Sequence, residues 1–156
     1  MTVRGQCHCG GVRFEMRREP IFVHACHCRD CQVQTGGVFV VNALLEASEL
    51  AVTGGRPEPV AMRTDSGGRH VVHRCPECRT ALWSEYTTPG VYFVRALTLE
   101  GGQDIRPDVH IFTRSQHPLV RLPEDAVRFE AFYDPREVWP EAAKARFRAA
   151  RAAAGG

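Results

Sequence analysis

The segment Ala25-Cys26-His27-Cys28-Arg29-Asp30-Cys31 places three thiols within six residues. The remaining four cysteines form two pairs, in Cys7-His8-Cys9 and in Cys75-Pro76-Glu77-Cys78. A structural zinc site takes four protein ligands in a tetrahedron, whereas a catalytic zinc site has three and keeps the fourth position open. Seven cysteines in this arrangement therefore predict two zinc ions per chain, and the compact triplet is the candidate for the open site.

Disulfides are the alternative use of so many cysteines. An odd number of cysteines, in closely spaced groups and without an export signal, favours metal ligands. Residues two apart on an extended segment lie on the same side, about 6.5 Å apart, so a slight turn brings both sulfurs to one ion. Gly10 and Gly11 permit that turn after Cys9, and the segment 75–78 has the form of a zinc knuckle.

Spacing leaves two ways to divide the thiols between two sites. In the first, the two pairs form one structural site, made of Cys7, Cys9, Cys75 and Cys78. The triplet then stays together as a catalytic site, made of Cys26, Cys28 and Cys31. The alternative divides the triplet and leaves a thiol without use. We favour the first, because its four-thiol site closes a long loop and clamps the first strand to the middle of the chain.

Three thiolates and a zinc ion carry a combined charge of about −1, and the open position suits a soft ligand such as a substrate thiolate. Zinc at such a site lowers the pKa of a bound thiol or water and polarises a carbonyl group. The alternative is a second structural site, in which His24 or His27 completes the tetrahedron. The sequence leaves this alternative open.

The length and composition of the chain limit the classes of protein to which it can belong. The chain has 156 residues, 44% apolar and 24% charged, which is typical of one globular domain with a core of ordinary size. No apolar run approaches a membrane span, and residues 1–12 lack the apolar stretch of a secretory signal. We therefore expect a cytoplasmic protein without a membrane partner. A net charge of +2 is too small to indicate nucleic-acid binding.

Short runs of β-branched and aromatic residues alternate with turns rich in glycine and proline, which predicts a mainly β fold with antiparallel sheets. Residues 38–41 are continuously apolar and predict a buried strand, with a connecting segment at 43–49. We also predict a loop or one helical turn at 32–37, a turn at 65–68 and a last strand at 127–133.

Alanine and arginine dominate the end of the chain, where Pro140 and the helix formers after it predict a short C-terminal helix. We therefore divide the chain into a zinc-binding domain, residues 1–134, and a helical tail, residues 135–156. The basic side chains of this helix leave a nucleic-acid role open, although a solvated helix face is the simpler interpretation. They are Lys144, Arg146, Arg148 and Arg151.

Five motifs, spread over roughly residues 2–125, are similar to those of one known family. They are Gly5-Gln6-Cys7-His8-Cys9-Gly10-Gly11-Val12, Cys26-His27-Cys28-Arg29-Asp30-Cys31-Gln32, Thr53-Gly54-Gly55, Arg74-Cys75-Pro76-Glu77-Cys78 and Asp108-Val109-His110-Ile111-Phe112. In these motifs the chain resembles the glutathione-dependent formaldehyde-activating enzyme family, which includes centromere protein V. The family pattern has glycine where Arg79 stands, since the residue after a knuckle often takes a left-handed backbone.

The resemblance implies a β-tent-like fold of small antiparallel sheets folded around zinc. It implies the same division of the cysteines into a structural and a catalytic zinc site. The implied activity is that of a carbon–sulfur lyase, the reversible joining of formaldehyde and glutathione to S-(hydroxymethyl)glutathione, with a small thiol and a small aldehyde as partners. The alternative, which centromere protein V suggests, is a non-catalytic zinc-binding module for nucleic acid or protein partners.

Overall fold

The computed structural model describes residues 2–64 and 67–155. Its α-helices are α1 (Arg29–Thr35), α2 (Pro135–Val138) and α3 (Glu141–Ala154). Its strands are β1 (Val3–Gln6), β2 (Arg13–Met16), β3 (Phe22–Cys26), β4 (Val40–Glu46), β5 (Leu50–Gly54), β6 (Glu58–Met62), β7 (His70–Arg74), β8 (Ala81–Glu85), β9 (Val91–Arg95) and β10 (Val109–Ile111).

The strands form a three-stranded sheet, in the order β1-β2-β5, and a seven-stranded sheet, in the order β10-β3-β4-β9-β8-β7-β6. The strand pairs are antiparallel, except that β10 lies parallel to β3. The predictions of a mainly β fold with antiparallel sheets and of a short C-terminal helix are confirmed. Within the described residues no helix has both the length and the apolar character that crossing a membrane requires.

Strand β4 lies inside the larger sheet and differs from its prediction. The strand begins at Val40 and continues through Glu46, so the predicted connection at 43–49 is wrong over its first half. Alternate β4 side chains pack on opposite faces of the sheet, Leu44 in one core and Leu45 in the other. A strand buried on both faces has no polar alternation, and its end therefore cannot be located from the hydrophobic pattern.

The larger sheet separates two hydrophobic cores. The first lies between the sheets, where Phe14 of β2 packs edge-on against Trp83 of β8 with ring centroids 5.4 Å apart. The second lies on the opposite face, where Phe22 of β3 stacks on Trp139, which follows α2. The C-terminal segment therefore covers a sheet face that would otherwise expose apolar side chains to water.

The predicted strand at 127–133 is wrong. Only one isolated bridge, between His110 and Arg128, joins this segment to the sheet in the described residues. Its neighbour β10 has three residues, so it offers a short edge for pairing. The rings of Phe129 and Tyr133 instead pack 4.8 Å apart in the second core. In the predicted turn at 65–68, residues 65 and 66 lie outside the described residues.

Helix α3 is attached to the larger sheet by a bidentate ion pair. Arg146 donates to both carboxylate oxygens of Glu46, at 2.7 and 2.6 Å, and Glu46 is 7% exposed. Gly90 has a φ of +79°, and a Cβ there would collide with the carbonyl of Ala150. The helix begins at Glu141, with Pro140 as its N-cap residue. The division of the chain at residue 135 stays a prediction.

We expect Arg146→Met to lower the free energy of unfolding by about 2–4 kcal/mol at pH 7, because it leaves a buried carboxylate with one exposed partner. Burial opposes ionisation of Glu46, but hydrogen bonds from Arg146 outweigh it and hold its pKa below the usual 4.5. The loss should be complete above pH 4.5 and shrink as the pH falls through the lowered pKa.

Urea denaturation at several pH values measures this loss. Arg148→Met is the matched control, because Arg148 pairs with Glu141 on the exposed face of the same helix. An exposed pair contributes about 0–1 kcal/mol, so the control should unfold nearly as the wild type does. Equal losses in the two variants would contradict the role assigned to Arg146.

Candidate metal centres and the cleft beside them

Four sulfurs meet where the first and seventh strands end. Those of Cys7 and Cys9 lie 3.5 Å apart, those of Cys9 and Cys75 lie 3.7 Å apart, and Cys78 completes a group within 4.8 Å. A tetrahedral zinc ion with bonds of about 2.3 Å to sulfur requires sulfurs about 3.8 Å apart. The thiol chemistry and the spacing of this cluster therefore fit zinc.

Two tight turns position these thiols. In the first, the Gly10 amide donates to the Cys7 carbonyl, and the Val12 amide donates to the Cys7 sulfur at 3.2 Å. In the second, the Thr80 hydroxyl lies 3.1 Å from the Cys78 sulfur. Hydrogen bonds from the Thr80 side chain and then from its backbone lower the pKa of Cys78 to about 5. The hydrogen bonds within these turns therefore favour the thiolate form of Cys7 and Cys78, the form that binds a metal.

The second turn contains a strained residue. Arg79 has a φ of +60°, in the left-handed region that favours glycine. Its amide donates to the Cys75 carbonyl at 3.1 Å, and its guanidinium pairs with Glu58 at the protein surface. The left-handed backbone expected at this position is therefore present, although a non-glycine side chain occupies it.

The other three cysteines form a separate cluster, with their sulfurs within 4.8 Å of one another. Cys26 ends β3, Cys28 caps the N-terminus of α1, and Cys31 lies in the first turn of that helix. Residues three apart in a helical turn lie on one side, so the local fold brings Cys28 and Cys31 together. The helix begins at Arg29, earlier than the loop or single helical turn predicted at 32–37.

Ionisation of the triplet begins at Cys28. Hydrogen bonds from Cys26, then from Cys31, lower the pKa of Cys28 to about 2. The pKa of Cys26 is raised, because its thiol donates to Cys28 and burial disfavours a second thiolate. Three neighbouring thiolates repel one another, so a cation is needed before all three ionise together. The donor set of the triplet also fits a zinc ion.

Two histidines beside the triplet do not complete it. The Nε2 of His24 lies 2.6 Å from the hydroxyl of Tyr133, and the Nε2 of His27 lies 3.1 Å from the Nδ1 of His110. Among the described residues neither ring joins the group of sulfurs. The geometry therefore gives no support to the alternative of a closed site with three cysteines and one histidine.

Sequence reasoning missed a group of buried polar residues near the triplet. Arg95 is 5% exposed, and it donates to Asn42 and, at 2.9 Å, to Ser84. His70 is 3% exposed and stacks on Tyr86 with ring centroids 4.2 Å apart. Burial, and next the charge of Arg95, lower the pKa of His70 to about 4. In the sequence, Arg95 follows the apolar run 91–94, but this position does not tell whether its side chain is buried.

Comparisons with known proteins identify the family. The family model described as glutathione-dependent formaldehyde-activating enzyme matches residues 2–115. The chain belongs to this family. A curated relative from Halomonas elongata, which carries the name of a proposed glutathione-dependent formaldehyde-activating enzyme, is 32% identical over 90 residues. That alignment covers 53% of this chain and 55% of the relative, so the chain spans about half the length of the curated relative it matches.

A solved structure is also similar to this member of the family. It is the crystal structure of a Rhodobacter sphaeroides protein, which is 22% identical to the chain. It superposes with a TM-score of 0.47 over 67% of this chain and 91% of the other.

We expect Arg79→Gly to raise the free energy of unfolding by about 1 kcal/mol, because a left-handed backbone costs a non-glycine residue about that much. Thermal and urea denaturation measure the change. The substitution also removes the exposed ion pair with Glu58, so Glu58→Gln is the control for that loss. A destabilised Arg79→Gly protein, beside an unchanged Glu58→Gln protein, would contradict the assignment of strain to Arg79.

Proposed function

We propose that the protein is a zinc-dependent carbon–sulfur lyase that acts on a small thiol–aldehyde adduct. The joining of glutathione and formaldehyde to S-(hydroxymethyl)glutathione is the reaction that the family name favours. The observation that carries the proposal is the separation of the seven thiols into a group of four and a group of three. Four thiolates saturate a zinc ion, whereas three leave a position for a substrate.

In this proposal each cluster has its own task. The structural zinc ion is held by Cys7, Cys9, Cys75 and Cys78. The catalytic zinc ion is held by Cys26, Cys28 and Cys31. When bound at the triplet, zinc would act as a Lewis acid and lower the pKa of a thiol ligand. The backbone amide of Cys31 donates to the sulfur of Cys28 at 3.4 Å and holds it in place.

The reaction itself is an addition without a change of oxidation state. A carbon–sulfur bond forms between the thiol and the carbonyl carbon, the π bond of the carbonyl opens, and the thiol proton passes to the oxygen. The reverse reaction breaks the carbon–sulfur bond and releases aldehyde and thiol. The partners are therefore a small thiol and a small aldehyde. We place the protein in the cytoplasm, where thiols stay reduced.

The alternative, a non-catalytic module for nucleic acid or protein partners, depended on the basic C-terminal helix. Arg146 is engaged by Glu46, and Lys144 and Arg148 pair with Glu141. The guanidinium of Arg151 lies 5.8 Å from the ring of Phe147. Because Glu46 neutralises Arg146, and Lys144 and Arg148 share the carboxylate of Glu141, the helix offers less free charge to a nucleic acid than its four basic residues suggest. We therefore prefer the enzyme, with 135–156 as a helical segment packed on the domain 1–134.

Purified protein should contain two zinc ions per chain, and the two ions should differ in lability. Four thiolates tied to two strands should retain zinc under mild chelation, whereas three thiolates near one helix turn should release it sooner. Metal analysis during timed chelation measures both quantities. A single zinc ion in protein prepared without chelator, together with three titratable thiols, would contradict the proposed division.

Two cysteine substitutions should have different consequences. Cys78→Ser should remove a large share of the roughly 5–15 kcal/mol that stabilises a domain, because it weakens the site that joins the two sheets. Cys28→Ser should fold and keep the first zinc ion, while the second ion and the catalysis are lost. Metal content, thermal denaturation and an assay corrected for the spontaneous reaction compare the variants. If Cys28→Ser unfolds as Cys78→Ser does, or keeps full activity, the triplet is not catalytic.

A further inference from the structure

A half-enclosed cleft of about 560 Å³ lies at the end of the larger sheet where the cysteines are found. Thr35 and Val40 line it beside the triplet, and Cys78 lines it beside the four-thiol cluster. Arg74 and Arg95 line its wall, and none of the described residues that line it is acidic. We propose that Arg95 and Arg74 form a subsite that binds a carboxylate group of the substrate, an inference that rests on the proposed function.

Among the described residues, Arg95 is a buried cation without a carboxylate partner. Its two terminal nitrogens donate to the neutral side chains of Asn42 and Ser84, and both partners are themselves buried. Its Nε has no hydrogen-bond partner in the described part of the chain. A buried charge and an unpaired donor both cost free energy, so a site of this kind favours an anionic acceptor.

Arg74 brings a second positive charge to the same cleft. It donates to the carbonyl of Arg79 at 3.0 Å, which holds its guanidinium beside the cleft. Burial and then the charge of Arg95 lower the pKa of Arg74, so the two cations repel each other. Arg79 is the third arginine of the lining, but its charge is paired with Glu58. An anion between Arg74 and Arg95 would relieve their repulsion.

The strand register places this subsite within one small molecule's length of the triplet. Asn42, which accepts from Arg95, lies two residues along β4 from Val40, and Val40 is the partner of Cys26 on β3. Two residues of a strand span about 7 Å. A carboxylate at Arg95 and a reacting carbon or sulfur at the triplet can therefore belong to one substrate.

The carboxylate could be that of the thiol or that of the aldehyde, and in either case it takes no part in the bond changes. Two matched pairs of small reagents distinguish these sources. For the thiol, 3-mercaptopropionate is compared with the neutral thiol 2-mercaptoethanol, each with formaldehyde. For the aldehyde, glyoxylate is compared with formaldehyde, each with 2-mercaptoethanol. The quantity measured is the kcat/KM of zinc-loaded protein, calculated from rates after the rate of the spontaneous reaction has been subtracted.

We expect the wild type to prefer the carboxylated member of one pair by about 10-fold or more, as a charge-assisted hydrogen bond predicts. The pair that shows the preference identifies the source. In Arg95→Met and in Arg74→Met, the ratio of the two kcat/KM values should fall toward 1. The control is Arg106→Met, which removes an exposed arginine that does not line the cleft and should keep the wild-type preference.

Binding of propionate, measured by calorimetry, gives a second result that does not depend on catalysis. Propionate should bind zinc-loaded wild type and Arg106→Met, and at least about 10-fold more weakly to Arg95→Met and Arg74→Met. Arginine-dependent binding without any reaction above the blank would refute the lyase and leave the subsite standing. Equal propionate binding by all four proteins, with no preference in either reagent pair, would refute the subsite.

Metal content separates the subsite from a purely electrostatic role of Arg95. If Arg95 only balances the negative triplet, Arg95→Met should lose the second zinc ion while Arg74→Met behaves as the wild type does. That pair of results would overturn the proposal. If both variants keep two zinc ions and lose propionate binding together, the subsite is supported.

Discussion

The meeting of the two cysteine turns determines how the smaller sheet lies on the larger one. Cys7 follows β1 of the smaller sheet, and Cys75 follows β7 of the larger sheet, yet both are buried in the same core. The contact between the turns joins positions 66 residues apart, from Cys9 to Cys75. The side chains of Phe14 and Trp83 pack against each other in the space between the two sheets.

The larger sheet gives the two cysteine clusters different surroundings. Cys7 and Cys75 pack in the core between the sheets, whereas Cys26 and Cys31 pack in the core on the opposite face. The antiparallel order brings the end of β3, the start of β4 and the end of β9 to the same end of the sheet. Chain topology therefore explains why the triplet, the buried arginine and the cleft occur together.

The C-terminal segment completes the face of the sheet that carries the triplet. Tyr133 lies within hydrogen-bonding distance of His24 on β3 and accepts a hydrogen bond from Trp139, and Trp139 stacks on Phe22. These contacts hold His24 within the core and away from the sulfurs. The helix that follows is attached to the sheet through Arg146. The charge of Arg146 therefore stabilises the fold and is not available to a partner.

Local spacing determines the two cysteine pairs and the triplet, because residues two or three apart have only a few accessible separations. The structure joins the two pairs into a group of four and keeps the triplet as a separate group of three, and the backbone at Arg79 is left-handed as expected after a knuckle. The mainly β fold and the C-terminal helix follow in the same way from alternation, turn residues and helix formers. The fold class and the cysteines that form the two groups could therefore be predicted from the sequence.

Tertiary packing alone established the length of β4, the irregular path of residues 127–133 and the surroundings of Arg95. An arginine after an apolar run has no local property that tells whether solvent or a buried cleft receives it. Its burial depends on pairing between β4, β8 and β9, which bring together Asn42, Ser84 and Arg95 from distant parts of the chain. Such long-range register depends on the complementarity of whole strands, and a local pattern does not record it.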